Sequence, residues 1–144
     1  MEAQNYANHR RFVPIFHFFA LPLIMLSLIG SIVNLVKSVG DHERLYSASL
    51  LVAVLVALMI VAPLARVFAL RAQDRAIRAE ENLRHYVLTG KLLDSRLTMG
   101  QIIGLRFASD AEFPALAKRA ADENLSGDAI KKAVKNWRAD NNRA

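Results

Sequence analysis

Two long runs without a charged residue constrain the fold of this chain most strongly. The first covers the 25 residues between Arg11 and Lys37, and the second covers the 21 residues between Arg44 and Arg66. As helices that rise about 1.5 Å per residue, both runs are long enough to cross a hydrocarbon core of about 30 Å. We therefore expect two transmembrane helices joined by a short turn.

Two other kinds of protein contain long apolar runs: a soluble protein with buried helices and a secreted protein with a signal peptide. Hydrophobic residues make up 53% of the chain, but they are concentrated in the two runs and leave too little polar sequence to cover them in a soluble protein. The first run follows Arg10 and Arg11, as in a secretory signal. It is longer than an h-region of about 7 to 15 residues, and no small-residue cleavage site follows near Val36. We expect both runs to remain in the mature protein.

The distribution of Lys and Arg predicts the orientation of the two helices. Only Lys37 and Arg44 flank the turn between them, whereas Arg10 and Arg11 precede the first helix. Five more arginines follow the second helix within about 20 residues, the range over which basic residues resist translocation. They are Arg66, Arg71, Arg75, Arg78 and Arg84. Both termini are therefore expected in the cytoplasm.

Most of the positive charge lies after the second run. The net charge of +6 includes +5 from Arg66 onward. Each Lys or Arg close to an anionic membrane surface contributes about 1 kcal/mol to binding, so we expect a lipid bilayer with anionic headgroups as a partner. The candidate contacts are Arg66, Arg71, Arg75, Arg78, Lys131, Lys135 and Arg138. The last three are predicted on a helix face away from Trp137, which is also typical of a solvated face.

The second apolar run continues into a sequence rich in helix-forming residues, so we expect one long helix that ends before Gly90. Opposite charges at Asp74 and Arg78, and at Glu80 and Arg84, have the i, i+4 spacing of ion pairs on an exposed helix. Small and apolar residues alternate at spacings of three and four, which places them on one helix face. This alanine stripe consists of Ala62, Ala65, Ala69, Ala72, Ala76, Ala79, Leu83 and Tyr86.

The alanine stripe has two interpretations. Alanine lets another helix approach closely, so the stripe predicts packing against a second copy, against the tail of this chain or against another protein. Alternatively, alanine is simply abundant in a good helix and the stripe has no partner. We favour the first interpretation.

After Gly90 the pattern changes to three short helices, predicted at residues 99–108, 110–124 and 128–140. Thr98 with Gln101 and Ser109 with Glu112 fit the capping box, and Ser126 is a looser third start. Apolar residues recur at helical spacing within all three. A bundle of this size is near the lower limit of independent stability and is expected to lean on the membrane, the long helix or a partner.

The predicted fold class is all-α, with four segments. Residues 1–11 form a cytoplasmic N-terminus, residues 12–66 form a transmembrane helical hairpin, residues 67–90 extend the second helix into the cytoplasm, and residues 91–144 form a small helical bundle.

The sequence contains no recognisable catalytic or cofactor site. There is no cysteine, and the four histidines show no i, i+4 pair. His17 is an ionisable residue inside a span and could ligate a haem, move a proton or sense pH. It lies close to the basic flank, where an interfacial or packing role is commoner. We expect no enzyme activity, no metal and no cofactor.

Four segments, which extend over nearly the whole chain, resemble a family of small bacterial two-span membrane proteins. They are residues 4–11 (QNYANHRR), 99–103 (MGQII), 105–108 (LRFA) and 130–140 (IKKAVKNWRAD). The resemblance implies a location in the bacterial inner membrane. It implies no activity and assigns no residues.

Three functions are compatible with the sequence. We favour a non-enzymatic interaction, scaffold or accessory protein of a membrane complex, with a protein partner or a second copy of itself. The alternative is a membrane-tethered nucleic-acid-binding protein, because the last two helices faintly resemble a helix-turn-helix. Its turn is too long and no base-reading cluster opens the last helix, so nucleic acid is not the expected partner. A transporter subunit would need a polar pathway that two spans provide only in an oligomer.

The charge asymmetry predicts the labelling of single cysteines in intact cells. A cysteine at Ser38 or Gly40 should react with an impermeant thiol reagent, whereas a cysteine at Asn142 should not. The reverse pattern would contradict the orientation, and equal protection of both positions would contradict the two-span arrangement.

Overall fold

The computed structural model of the chain describes residues 4–9 and 12–140. Within these residues it contains one π-helix, Ile15–Ala20, five α-helices and no β-strand, which confirms the all-helical prediction. The α-helices are α1 (Leu21–Lys37), α2 (His42–Thr89), α3 (Met99–Leu105), α4 (Phe113–Asp122) and α5 (Gly127–Ala133). The arginines at positions 10 and 11 and the labelling position Asn142 lie outside the described residues.

The chain divides into two compact units. The first is Phe12–Phe68, and the second contains residues 69–140 together with residues 4–9. Helix α2 begins in the first unit and ends in the second. The sequence predicted a separate N-terminal segment, whereas the structure joins residues 4–9 to the tail.

The first unit carries apolar helices that the protein itself hardly covers. Ile15–Lys37 and His42–Thr89 are both long and apolar enough to cross a membrane. Only 6% of the most apolar stretch of each is buried within the protein. Ile15, Phe18 and Phe19 are each more than 60% exposed. A core helix of a soluble protein would instead be mostly covered.

Proline affects the two long helices differently. The π-helix ends just before Pro22, which has no amide proton to donate and whose ring crowds the preceding turn. A wider π turn is one way in which a helix accommodates such a residue. Helix α2 instead continues through Pro63 without a break.

The two ends of the first unit are marked by different contacts. At one end the Arg66 guanidinium lies 5.8 Å from the centre of the Phe16 ring. At the other end Gly40, with a φ of +101°, lies in the turn after α1. Next to this turn Ser38 and Ala48 are buried and line an open cleft of about 220 Å³.

The starts of two short helices follow the sequence signals. The Thr98 side chain accepts a hydrogen bond from the Gln101 amide, and the Gln101 side chain accepts one from the Thr98 amide at 2.7 Å, so this capping box is confirmed. The Ser126 side chain accepts a bond from the Ala129 amide at 3.1 Å, which confirms the third helix start.

The second predicted capping box is wrong. The α4 N-cap is Glu112 and carries no side-chain cap bond, and the Ser109 hydroxyl oxygen is buried without a hydrogen-bond partner among the described residues. The Glu112 carboxylate instead accepts bonds from the Lys135 and Asn136 amides, at 3.2 and 3.0 Å. A distant segment therefore takes the carboxylate that the local pattern assigned to the cap.

The same contact explains why α5 is shorter than predicted. The helix was expected to run over residues 128–140, but it ends at Ala133, and Val134 is extended with a ψ of 123°. Beyond it the chain runs beside the segment after α3, with a β-bridge between Ala108 and Trp137 and a 2.8 Å bond from the Arg138 amide to the Phe107 carbonyl oxygen. The amides after α5 find partners there and do not need a helix.

The core of the second unit lies between α3, α4 and α5. Its largest fully buried side chains are Leu105, Phe107, Phe113 and Ile130. Helix α2 adds Ile77, which is only 7% exposed. The long helix therefore completes the core of a bundle that has few residues of its own.

Two glycines set the distance between α3 and α5. A Cβ at Gly104 would lie 2.8 Å from the Gly127 carbonyl oxygen, and a Cβ at Gly127 would overlap the Gly100 carbonyl oxygen. A Cβ at Gly100 would meet nothing within 4 Å. The helices therefore cross so closely that Gly104 and Gly127 cannot carry a side chain without movement of the backbone.

Gly104→Ala should lower the stability of the bundle, whereas Gly100→Ala should not. Gly104→Ala should lower the free energy of unfolding by about 1–3 kcal/mol because it forces the two backbones apart. Gly100→Ala should leave it unchanged or raise it by up to about 1 kcal/mol, because alanine favours the helix and meets no obstacle. The fluorescence of Trp137, the only tryptophan, reports unfolding of the bundle in denaturant. Equal effects of both changes would contradict the close crossing.

Candidate functional site

The alanine stripe of α2 is open to contact along the tail. Ala69, Ala72, Ala76 and Ala79 are exposed. Leu83 and Tyr86 are 64% and 53% exposed. No described residue of the second unit covers this face.

The bundle packs on a different face of α2. Ile77, Glu81 and Arg84 face the bundle, and at 3.6 residues per turn they lie roughly 140° around the helix from the alanine stripe. The tail therefore uses one face of α2 for its own core and leaves the alanine stripe available. A partner helix that packs on the stripe would not compete with the bundle.

The bundle face is fastened by an ion-pair network around Arg84. The Arg84 guanidinium lies 2.9 Å from the Glu81 carboxylate and 2.6 Å from that of Asp110. It also donates to the Ala108 carbonyl oxygen at 2.7 Å, and its centre lies 4.4 Å from the centre of the Phe113 ring. The predicted pair of Glu80 with Arg84 is wrong, because Arg84 contacts Glu81 and the bundle on the buried side of the helix.

The predicted anionic-surface contacts separate into two groups. Arg71, Arg75 and Arg78 are exposed at spacings of four and three, so they share one face of α2. Among the described residues, no carboxylate lies within 4.0 Å of their guanidinium groups, so the predicted pair of Asp74 with Arg78 does not form. Arg66 is half-buried at the end of the first unit.

The three predicted contacts in the bundle do not share a helix face. Lys131 lies on α5, with its Nζ 3.4 Å from His9 Nε2. Lys135 and Arg138 lie after α5, and the Arg138 guanidinium is 3.5 Å from the Glu81 carboxylate. The predicted basic face of a third helix is therefore wrong, because the helix ends before two of its three residues.

No local pattern in the sequence predicts the docking of residues 4–9, here called the N-terminal strap. The Tyr6 hydroxyl donates to Asp128 Oδ1 at 2.6 Å, across 122 residues of sequence. The Gln4 side chain accepts a bond of 2.7 Å from the Asp140 amide. The His9 ring is 9% exposed. It lies 6.0 Å from the ring centres of both Phe107 and Trp137. The strap is thus part of the bundle surface.

Two exposed basic side chains, Arg96 and Lys132, form ion pairs on the surface of the second unit. Arg96 contacts both Asp94 and Asp122, and its hydrogen bonds lower the pKa of Asp94 to about 2. Lys132, followed by Tyr6, lowers the pKa of Asp128 below its usual range. Because the folded-state pKa of each carboxyl is depressed, its contribution is present above the ordinary pKa of aspartate and is lost as the pH falls through the folded-state value.

His17 lies among aromatic side chains and not in a ligand cluster. Its Nδ1 is 2.9 Å from the Val13 carbonyl oxygen, and its ring centre is 5.1 Å from that of Phe16. Among the described residues, no group of three or more His, Asp or Glu side chains is arranged to hold a metal ion. The geometry of His17 supports a packing role.

A sequence model of a family of unknown function (DUF6526) matches residues 1–144. The chain belongs to this family. No curated protein and no solved structure matches it. Membership in the family brings no activity to any of these residues.

Loss of the Arg84 network should destabilise the bundle. Arg84→Met removes one partner of a buried ion pair and should lower the free energy of unfolding by about 2–5 kcal/mol. Arg78→Met makes the same chemical change at an exposed position of α2 and should alter it by less than about 0.5 kcal/mol. Trp137 fluorescence in denaturant measures both. Equal losses would show that the network does not fasten the bundle.

Proposed function

We propose that this chain is a non-enzymatic, membrane-anchored interaction protein that serves as a scaffold or accessory subunit of a membrane complex. Residues 12–66 form a two-span hairpin in the bacterial inner membrane, and both termini lie in the cytoplasm. The observation that carries the proposal is the exposed alanine stripe, which continues beyond the apolar part of α2 on a face that the bundle does not use.

Two observations support the membrane hairpin. The apolar helices of the first unit are almost entirely uncovered, which a bilayer tolerates and water does not. The N-terminal strap is bonded to the bundle through Tyr6 and Gln4, which supports an arrangement with residues 4–9 and the bundle on the same side of the membrane. Two spans satisfy this condition and one span does not.

The arginine face of α2 supports a lipid partner. Arg71, Arg75 and Arg78 follow Arg66 within about three helical turns and have no carboxylate partner among the described residues. Anionic headgroups would supply the missing negative charge, at about 1 kcal/mol for each arginine near the surface. Lipid contact seats the tail, while the alanine stripe binds the protein partner.

The two alternatives receive less support. The nucleic-acid-binding interpretation was based on a basic face of the last predicted helix, but Lys131, Lys135 and Arg138 do not share a helix face. A transporter subunit needs polar groups along the spans, and His17 is bonded to its own helix. If this chain bound nucleic acid, the affinity would fall steeply as the salt concentration rises. A contact between apolar helix faces would persist at high salt.

Crosslinking tests the proposed contact directly, because the chain has no native cysteine. Cysteines at Ala72 or Ala76 should give crosslinked products in native membranes. Ala76→Arg, combined with the cysteine at Ala72, should abolish them because a long charged side chain cannot enter a close helix contact. Arg75→Cys, next to the stripe but off it, is the control.

The products distinguish the partners. Mixed crosslinks between two differently tagged copies identify a homo-oligomer, and a tagged product of another mass identifies a different protein. Crosslinking at Arg75 but not at Ala72 would reject the alanine stripe as the contact. If no position gives a crosslinked product, the alanine stripe makes no close helix contact, and the proposed function loses its main support.

A further inference from the structure

The N-terminal strap forms a turn that is held by its own hydrogen bonds. The Asn5 side chain accepts bonds from the amides of Ala7 and Asn8, at 2.8 and 3.3 Å, and the Asn5 amide donates to the Asn8 side chain at 2.7 Å. Asparagine stabilises such turns by mimicking a backbone group. The turn brings the rings of Tyr6 and His9 to 5.5 Å from each other, so both can reach the bundle together.

The strap contacts α5 and the segment after it, a part of the bundle with little regular structure. Helix α5 has only seven residues, and the chain beyond it is extended. The strap bonds to Asp128 at the start of α5 and to Asp140 beyond its end. The Lys132 ammonium lies 5.3 Å from the centre of the Tyr6 ring. A short helix has little stability of its own, so these contacts matter most there.

The strap also covers aromatic surface. The His9 ring lies beside Phe107 and Trp137, whose ring centres are 4.9 Å apart. If the strap left the bundle, the surface of Trp137 that faces His9 would be uncovered. The hydrogen bonds of the strap with Asp128 and Asp140 would also be lost. The packing of Trp137 and the order of α5 therefore depend on the same six residues.

We propose that the N-terminal strap is a latch: it docks on the bundle as an intramolecular ligand and holds α5 and the segment up to Asp140 in place. The bundle is complete only where the two ends of the chain meet. The latch rests on the two-span topology proposed above, because the strap reaches the bundle only from the same side of the membrane. Opening the latch exposes an aromatic surface around Trp137 that the closed state hides.

Amide hydrogen exchange on the full chain in lipid nanodiscs tests the latch. The Tyr6→Ala/His9→Ala variant should accelerate exchange of the Val134 and Arg138 amides by about tenfold or more, because the strap contacts that oppose local opening are lost. Exchange of the Ile102 amide on α3 should change much less. The matched control is Tyr46→Ala/His42→Ala, which removes the same two residue types from the start of α2.

A double-mutant cycle locates the effect. Tyr6→Phe keeps the ring and removes only the hydroxyl, so it should accelerate exchange less than Tyr6→Ala does. Adding Asp128→Ala to Tyr6→Phe should have a smaller effect than Asp128→Ala alone, because the bond is already absent. Additive effects of the two changes would show that the hydroxyl does not act through Asp128 and would overturn this contact of the latch.

Two further cysteine variants separate failure of the latch from failure of the topology. Ala7→Cys in the strap and Lys118→Cys on α4 are both at exposed positions. Labelling of both from the cytoplasmic side, together with unchanged exchange in Tyr6→Ala/His9→Ala, would overturn the latch and leave the two-span topology standing. Labelling from opposite sides would overturn both. Equal acceleration by the Tyr46→Ala/His42→Ala control would also overturn the latch.

Discussion

The apolar side chains of the first unit have no protein to cover them, and the other features of the chain follow from this constraint. A helix satisfies its own backbone hydrogen bonds, so it can enter an apolar solvent where an irregular chain cannot. Pro22 has no amide proton and interrupts the backbone hydrogen bonds of the first apolar helix. The π-helix Ile15–Ala20 ends two residues before it. The apolar run of α2 ends at Arg66, and Arg71, Arg75 and Arg78 follow it. In the proposed topology the bilayer covers the first unit, and only the tail and the strap remain for contacts in water.

Helix α2 links these two environments and divides its surface among three tasks. One face carries Ile77 and Glu81 and completes the bundle, a second carries the exposed Arg71, Arg75 and Arg78, and a third carries the alanine stripe. The first task is necessary because a bundle of three short helices buries too little apolar surface alone. Since the bundle and the stripe use different faces, binding of the proposed partner would not require the bundle to unfold. The core of the tail is complete without that partner.

Local signals in the sequence were sufficient for some features and not for others. The two apolar runs, the end of α2 at Gly90 and the Thr98 capping box depend on residues close in sequence, and each was predicted. The start of α4 and the end of α5 depend on Glu112, whose carboxylate accepts hydrogen bonds from the amides 23 and 24 residues away. The strap contact between Tyr6 and Asp128 spans still more of the chain, and the role of Gly104 depends on the approach of Gly127. No periodicity within one segment contains this information, because the deciding partner lies in another segment.

The placement of charge distinguishes the proposed lipid contact from general attraction to anions. In the bundle, three basic side chains face carboxylates of the same unit: Arg106 is 3.0 Å from Asp140, Lys132 is 2.8 Å from Asp128, and Arg119 is 3.0 Å from Glu123. The pairs of Lys132 and Arg119 are exposed and add little stability, but they neutralise the surface on which they lie. The arginine face of α2 has no such carboxylates within 4.0 Å among the described residues. Arg66, Arg71, Arg75 and Arg78 lie on the part of α2 that directly follows the apolar run, where the proposed membrane would supply anionic headgroups.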